Sequence, residues 1–389
     1  MNRNLVLLLL AQACYWFAVL IGISLSAVLG AQLAPHAGLA TLPYTLISVS
    51  ALFCTYAISV SMQRRGRRVG FQLGVAAGLL AALGSVGAIV GQSFYLFCAA
   101  SVLMGVYQAS SVYYRLAALD SVGDGQQGQA VGWVLSGSLL AAVLGPGLAG
   151  WAGSLFVDSA YLGPYLLTAG FGLLAWVLVS LLPSPFSQQV YGSAPAVGRA
   201  FLSRPLYWLG IGNTAFAQFA MMLMMIVAPL SMHQHHHYPV STGISVIGWH
   251  IVGMFLPSFF SGRLLDRFSA PVMVLAGLGI FMLSALAALL GTETAHYYGS
   301  LFLLGLGWNF MYVAGTGQYN RDLAVHEKGR AQGMAEVAIA LAAVLGAALG
   351  GWLLSKLDWQ ALNQGLLWGL VGMAGVNMLF WRWGRSGQD

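Results

Sequence analysis

Two stretches of this chain are similar in sequence. The segment Gly128–Trp151 reads GQAVGWVLSGSLLAAVLGPGLAGW, and the segment Gly329–Trp352, 201 residues further along, reads GRAQGMAEVAIALAAVLGAALGGW. Half of the aligned positions are identical, including an uninterrupted LAAVLG. The same offset brings the basic stretch RRGRR (64–68) beside GRLLDR (262–267). One offset that aligns both an apolar segment and a charged loop indicates an internal duplication.

The composition is typical of a membrane protein. Of the 389 residues, 59% are hydrophobic and only 7% are charged, and the mean hydropathy is +0.78. Soluble domains carry about 25% charged residues. A chain with so few charges cannot cover a water-exposed surface, so lipid must be most of its solvent. The three cysteines are too few and too scattered for a disulfide framework or a zinc knuckle.

The apolar runs predict an all-α membrane protein with twelve transmembrane helices in two pseudo-symmetric halves. A crossing helix needs about 20 apolar residues. The predicted halves cover residues 1–183 and 205–389, joined by a cytoplasmic linker at 184–204. The predicted spans are 4–29, 39–62, 70–91, 94–116, 128–152, 160–183, 205–231, 241–262, 270–291, 296–318, 331–354 and 362–383.

The basic residues predict the orientation of the chain. Of the 16 lysines and arginines, all but Lys356 fall on one side of the predicted spans. Loops rich in lysine and arginine stay in the cytoplasm. We therefore expect both termini to be cytoplasmic. The first span is too long for a signal peptide and more spans follow it, so we expect it to be uncleaved.

Two spans carry residues with unusual chemistry. The seventh contains Met221 and Met225, and the eighth contains His250 and Met254. Each pair has a spacing of four, which places both members on one helix face. Met221 and His250 each lie about 15 residues from the centre of the loop between the spans, or about 20 Å along a helix. Both pairs are therefore expected near the midplane, where transporters bind substrate.

These residue types predict a site for copper. Thioether sulfur is a soft, neutral ligand and imidazole is borderline, a set that favours Cu(I) over Mg²⁺, Ca²⁺ or Mn²⁺. Zinc sites usually draw on thiolate, imidazole and carboxylate instead. Methionine also fills gaps in apolar cores, so a methionine pair alone says little. A histidine within a membrane span is a stronger signal because it requires a polar partner.

Other residues are candidate accessory ligands. The outer loop between the seventh and eighth spans carries four histidines that could collect metal at the cavity mouth, or could form only a polar turn. Met224 lies beside the methionine pair, and three further residues could act as transient ligands in the first half or could only pack there. The accessory candidates are Met224, His233, His235, His236, His237, Cys14, Cys54 and Met104.

The chain resembles the major facilitator superfamily along its whole length, through the two six-span halves and the paired basic loops. Within that superfamily, Trp249–Gly262 (WHIVGMFLPSFFSG) is similar to the eighth helix of the CcoA-like copper importers. That family pairs MxxxM with HxxxM, and both motifs are present here. Gly305–Phe310 (GLGWNF) and Tyr114–Asp120 (YRLAALD) also look like family sequence. The resemblance implies alternating access and a copper site at Met221, Met225, His250 and Met254.

The resemblance further implies a copper importer of the bacterial inner membrane that supplies cuproenzymes such as cytochrome oxidase. Copper would be the transported substrate, with no resident cofactor. We expect the lipid bilayer as the surrounding partner, no nucleic-acid partner, a monomeric state and no enzymatic activity, because the spans hold no nucleophile–base pair or carboxylate dyad.

Two alternatives remain open. A related branch carries riboflavin and shares much of the eighth-span sequence. A carrier of such an aromatic organic solute would use amides and aromatic rings in its cavity, for which the candidates are Gln12, Tyr15, Trp16, Gln108, Asn213, Gln218 and Asn309. The other alternative is a non-transporting metal receptor. Candidates for coupling or gating are Glu336, Arg115, Asp266 and Arg267, of which the last two lie in the basic loop that repeats the 64–68 loop.

Overall fold

The computed structural model describes residues 2–119, 121–122, 127–156, 159–183, 200–321 and 323–386, and these residues form helices and turns without a strand. The helices are α1 (Arg3–Leu33), α2 (Leu42–Arg65), α3 (Arg67–Val90), α4 (Phe94–Ser111), α5 (Tyr114–Leu119), α6 (Gln127–Ser154), α7 (Leu162–Ser180), α8 (Pro205–Gln234), α9 (Val240–Phe255), α10 (Ser258–Arg267), α11 (Ala270–Leu289), α12 (Thr294–Asn320), α13 (Val325–Leu354) and α14 (Trp359–Ser386). Each predicted span corresponds to one helix or to a pair of consecutive helices. The predicted all-α architecture is confirmed.

Eleven segments among the described residues are long and apolar enough to cross a membrane. Helix α12 is not one of them. It is 27 residues long, so its composition rather than its length sets it apart. Polar residues such as Asn309 and Gln318 are buried in it. A span that places amides in its interior is typical of a helix that supports a polar site.

Two of the predicted spans are broken. The fourth consists of α4 and α5, separated by Val112 and Tyr113. The eighth consists of α9 and α10, separated at Leu256 and Pro257. Proline lacks an N–H and its ring clashes with the preceding turn, so the helix ends before Pro257. The apolar pattern predicted neither break, because it continues across both.

The described residues group into two compact units. The first contains Met1–Tyr191 together with Ile226–Ile251, and the second contains Gly192–Met225 together with Val252–Asp389. The end of α8 and most of α9 therefore pack with the first unit. The halves predicted from the repeat, 1–183 and 205–389, are a separate division by sequence and stay a prediction. Residues 184–199 of the predicted linker lie outside the described residues.

Close helix contacts in the first unit depend on small residues. In α9, Gly248 lies against α6 at the turn where Pro146 cannot donate to the carbonyl of Ala142. A Cβ at Gly248 would lie 2.8 Å from the Ala142 oxygen. Small residues allow helix backbones to approach in membrane proteins. A larger side chain at Gly248 would therefore force α9 away from α6.

Candidate transport site

The predicted metal ligands are all buried. The exposed fractions are 3% for Met221, 1% for Met225, 0% for His250 and 4% for Met254, and Met224 is exposed by 1%. Met221, Met225 and Met254 belong to the second compact unit, whereas His250 belongs to the first. No group of three or more His, Cys, Asp or Glu residues arranged for a metal ion occurs in the described part of the chain.

The break in the eighth span is braced by an amide from α12. Asn309 donates through Nδ2 to the carbonyl oxygen of Met254 at 2.8 Å and to Ser258 Oγ at 2.7 Å. The carbonyl of Met254 is one of the last in α9 and has no intrahelical donor. The predicted cavity residue Asn309 thus stabilises the broken helix next to the HxxxM motif. Its Oδ1 atom is buried and accepts no hydrogen bond within the described residues.

A second group of α8 and α12 side chains forms an aromatic platform. Trp308 donates from Nε1 to Gln218 Oε1 at 3.0 Å, and its ring stacks on Tyr312 with centroids 4.7 Å apart and planes at 28°. All three side chains are half-buried. Gln218 was predicted as a cavity residue, but Trp308 and Tyr312 were missed. Their spacing of four beside a polar Asn309 was the available signal.

The predicted cavity residue Asn213 lies elsewhere on the same helices. It is fully buried and exchanges hydrogen bonds with Asn377 of α14, at 2.9 and 2.8 Å. It also donates to Gln318 of α12 at 2.8 Å. Buried amides that satisfy one another fix the register of the helices that carry them. Asn213 is therefore placed as a structural residue of the second unit.

The remaining candidates of the first unit are dispersed. Gln108 is half-buried in α4. Cys54 lies 3.8 Å from Ser50 Oγ, and both Cys54 and Met104 pack against the apolar core. Tyr15, a ring predicted to bind an aromatic solute, packs edge-to-face on Tyr107, which was not predicted, with centroids 5.2 Å apart.

The predicted coupling and gating residues are mostly exposed. Glu336, Arg115 and Arg267 are exposed, and the Arg267 guanidinium lies 5.7 Å from the ring centroid of Phe268. The side chain of Asp266 lies outside the described residues. An ion pair that the sequence did not reveal joins Arg204 Nη1 to Glu327 Oε2 at 3.0 Å. Glu327 is only 3% exposed, so this ion pair is less accessible to water than the exposed side chains of Glu336, Arg115 and Arg267.

The four loop histidines are not equivalent. His235 and His237 are exposed, and His233 and His236 are half-buried. Burial, together with the neighbouring His235 and His237, lowers the pKa of His236. His237 has a φ of 55°, a left-handed conformation that non-glycine residues rarely adopt. The resulting turn lets the N–H of Tyr238 donate to the carbonyl of Met232 at 2.9 Å.

Comparison with protein families identifies the family to which this chain belongs. The family model described as Major Facilitator Superfamily matches residues 7–324 and 246–388. The chain therefore belongs to the major facilitator superfamily and is a multi-pass membrane transporter of the secondary type. The resemblance to this superfamily that the sequence indicated is confirmed.

Two relatives in sequence and one solved structure are similar to this chain over nearly its whole length. The riboflavin transporter RfnT of Brucella anthropi is 31% identical over 93% of this chain and 92% of its own length. The uncharacterised transporter YdeG of Bacillus subtilis is 26% identical over 99% of this chain and 93% of its own. In fold, the chain is similar to a mutant form of the nucleoside transporter NupG, with a TM-score of 0.79, 13% identity and coverage of 97% and 99%.

Proposed function

We propose that this chain is a secondary transporter for a planar aromatic organic solute of the riboflavin class. The observation that carries the proposal is the half-buried platform of Trp308 and Tyr312, held by Gln218. The similarity to a riboflavin transporter over nearly the whole chain supports the same solute class. The copper substrate expected from the motifs receives no such support from the relatives and becomes the second candidate.

The platform has the chemistry that a flavin-like ring requires. Stacking of a planar heterocycle on an aromatic side chain contributes about 1–3 kcal/mol. Gln218 accepts the Trp308 N–H through Oε1, so its orientation is set and its two N–H donors are left for a carbonyl of the solute.

We further propose that the protein lies in a bacterial inner membrane, with both termini in the cytoplasm, and imports its solute by alternating access. The one-sided distribution of the basic residues supports the orientation. The transporter fold supports the mechanism, in which the solute is bound near the bilayer midplane.

The test is uptake of radiolabelled riboflavin by riboflavin-auxotrophic cells that express the protein. We expect saturable uptake, and a fall in kcat/KM of about 5- to 150-fold for Trp308→Ala, the equivalent of about 1–3 kcal/mol. Trp368→Ala is the matched control, because Trp368 is 69% exposed on α14 and should face lipid. No riboflavin uptake above that of empty cells, with the protein present in the membrane, would refute the proposal.

The second candidate function is copper import by a protein that has the same orientation in the membrane. It is favoured by the buried sulfur of Met221, Met225 and Met254 and by the buried imidazole of His250. Neutral soft ligands of this kind suit a monovalent copper ion. The test is uptake of radioactive copper by the same cells. Uptake that exceeds the background and falls in both Met221→Leu and His250→Ala would support copper, and uptake unchanged by both substitutions would exclude this site.

A further inference from the structure

Four arginines lie around the turn between α2 and α3. Helix α2 ends at Arg65 and α3 begins at Arg67, so Gly66 is the single residue between them. Gly66 has a φ of 88°, in the region that residues other than glycine rarely adopt. Because the turn is so short, all four arginines lie at one surface of the membrane. Arg64 and Arg65 are exposed, Arg68 is half-buried and Arg67 is buried.

Arg68 and the arginine at the start of α1 are held at the end of α7. Arg68 donates from Nη1 to the carbonyl oxygen of Leu182 at 3.0 Å, and Arg3 donates from Nη2 to the carbonyl oxygen of Leu181 at 3.5 Å. The last carbonyls of a helix have no intrahelical donor and form the negative end of its dipole, so they attract cations. A guanidinium has five N–H donors, of which each of these contacts uses one. The end of α7 therefore fixes two positive charges in place and leaves donors for a further partner.

The positive charge around this turn is not balanced by acids in the described part of the first unit, which contains no aspartate or glutamate. The acids of residues 1–191 are Asp120, Asp124 and Asp158, and they lie outside the described residues. The stretch that repeats this one, GRLLDR (262–267), has two arginines and one aspartate. The excess of arginine is thus a property of the first copy, and it attracts anions.

The surface of α7 beside these arginines can accommodate an acyl chain. Helix α7 has 19 residues, and its length of about 28 Å is close to the ~30 Å thickness of the hydrocarbon core. Its end, with Arg3 and Arg68, therefore lies at the level of the lipid headgroups. From that end, Leu181, Val177 and Leu173 form an exposed apolar stripe at a spacing of four.

We propose that Arg3 and Arg68, at the end of α7, form a binding site for the phosphate group of an anionic phospholipid, and that Arg64 and Arg65 add to the attraction. Guanidinium and phosphate form charge-assisted hydrogen bonds, frequently in pairs. A lipid with a net negative charge complements the excess of arginine, whereas a zwitterionic lipid also brings a cation that the arginines repel. The bound lipid would join α1, α3 and α7. The inference goes beyond the proposed function and does not depend on the cargo.

The test is displacement of radiolabelled palmitoyl-oleoyl phosphatidylglycerol from the purified full chain in detergent. The competitors are the unlabelled lipid, phosphatidylcholine with the same acyl chains, and inorganic phosphate at constant ionic strength. We expect half-displacement to require about 30-fold more phosphatidylcholine than phosphatidylglycerol, or about fivefold for each of two arginines. Inorganic phosphate has no acyl chain and should not displace the lipid. Equal displacement by the two lipids, or displacement by inorganic phosphate, would overturn the proposal.

Variants assign the binding to the two arginines at α7. Arg3→Gln with Arg68→Gln should weaken phosphatidylglycerol binding about 30-fold, whereas Arg3→Lys with Arg68→Lys keeps both charges and should retain most of it. The matched control is Arg263→Gln with Arg267→Gln, which removes two charges from the repeated stretch and should bind the lipid like the wild type. An equal loss in this control would show that only net charge matters, which also contradicts the proposal.

A second pair of variants keeps the test decisive if the glutamine pair at α7 does not fold. Arg64→Gln with Arg65→Gln changes two exposed residues at the end of α2. Because these arginines add to the attraction without lying at the α7 carbonyls, we expect binding to weaken about fivefold. Unchanged binding in this pair, with phosphatidylcholine competing as well as phosphatidylglycerol, would refute a site at this turn.

Discussion

Helices α8 and α12 meet through side-chain amides at two levels, and the two meetings differ in exposure. At one level Asn213 is buried and bonded both to Gln318 and to Asn377, which are buried as well. At the other, Gln218 and Trp308 are bonded but half-buried, and Tyr312 stacks beside them. A buried amide such as Asn213, which bonds to two other amides, serves the fold, whereas a half-buried amide on an aromatic ring still has donors and ring surface for a solute. On one pair of helices, therefore, the buried amide Asn213 stabilises the fold, and the half-buried amide Gln218 is the candidate for solute binding.

The largest effect is expected on stability at the buried level. Asn213→Leu would remove the donor to Gln318 Oε1 and to Asn377 Oδ1, both buried, at about 1–3 kcal/mol for each acceptor left without a partner. We expect a lower unfolding temperature in detergent and reduced protein in the membrane. Solute uptake for each folded molecule should stay close to that of the wild type. Gln108→Leu, at a half-buried amide of the first unit, is the control and should unfold near the wild-type temperature.

A drop in uptake for Asn213→Leu without a drop in unfolding temperature would reverse the assignment. The buried amide would then act on the solute, and the comparison between the two levels would fail. Uptake must be normalised to folded protein for this reason, because a loss of stability alone lowers the amount of transporter in the membrane.

The sequence predicted the spans better than the site. The apolar runs and the repeat were sufficient for the twelve spans and for the superfamily. The break at Pro257 was missed, because an apolar run does not show whether its backbone stays helical, although the proline was the local signal. Gln218 and Asn309 were selected because an amide in an apolar span is unusual.

Trp308 and Tyr312 were missed for a different reason. An aromatic residue in a membrane span is ordinarily a packing or lipid-facing residue, so its identity alone carries no signal. Its role depends on Gln218, which lies 90 residues away in the chain. A contact at that separation is a property of the fold and cannot be read from local spacing.

A moderate effect is expected on transport at the half-buried level, where Gln218 contacts Trp308. Gln218→Leu removes the acceptor of the Trp308 N–H and the donors proposed for the solute. We expect KM for the aromatic solute to rise about fivefold, the equivalent of roughly one hydrogen bond, with little change in unfolding temperature. Gln218→Glu keeps an acceptor for Trp308 but has no donors when ionised, so it should resemble Gln218→Leu in KM. An unchanged KM in both variants would remove Gln218 from the solute site.

A smaller effect on solute uptake is expected at the methionine pair, about one turn beyond Gln218 on α8. Met221→Leu and Met225→Leu conserve volume and apolarity, so packing should be nearly preserved. If the organic solute is the cargo, riboflavin uptake should stay within about twofold of the wild type. A loss of copper uptake in the same variants, with riboflavin uptake retained, would show that sulfur is used as a ligand. The pair thus tests whether buried thioethers here serve packing or metal binding.

The smallest effect is expected on metal binding by the histidine-rich loop between α8 and α9. Because burial and the positive charges that His235 and His237 acquire lower the pKa of His236, its ring stays neutral to a lower pH than an ordinary histidine. Only the neutral ring binds metal. Weak Ni²⁺ or Cu²⁺ binding by the purified protein should therefore persist to a lower pH with His236 than in His236→Ala, as measured by titration calorimetry between about pH 5 and 7. His233→Gln should leave this binding unchanged, because His233 is engaged by Tyr161 and Tyr238. Equal pH dependence in wild type and His236→Ala would show that His236 is no ligand.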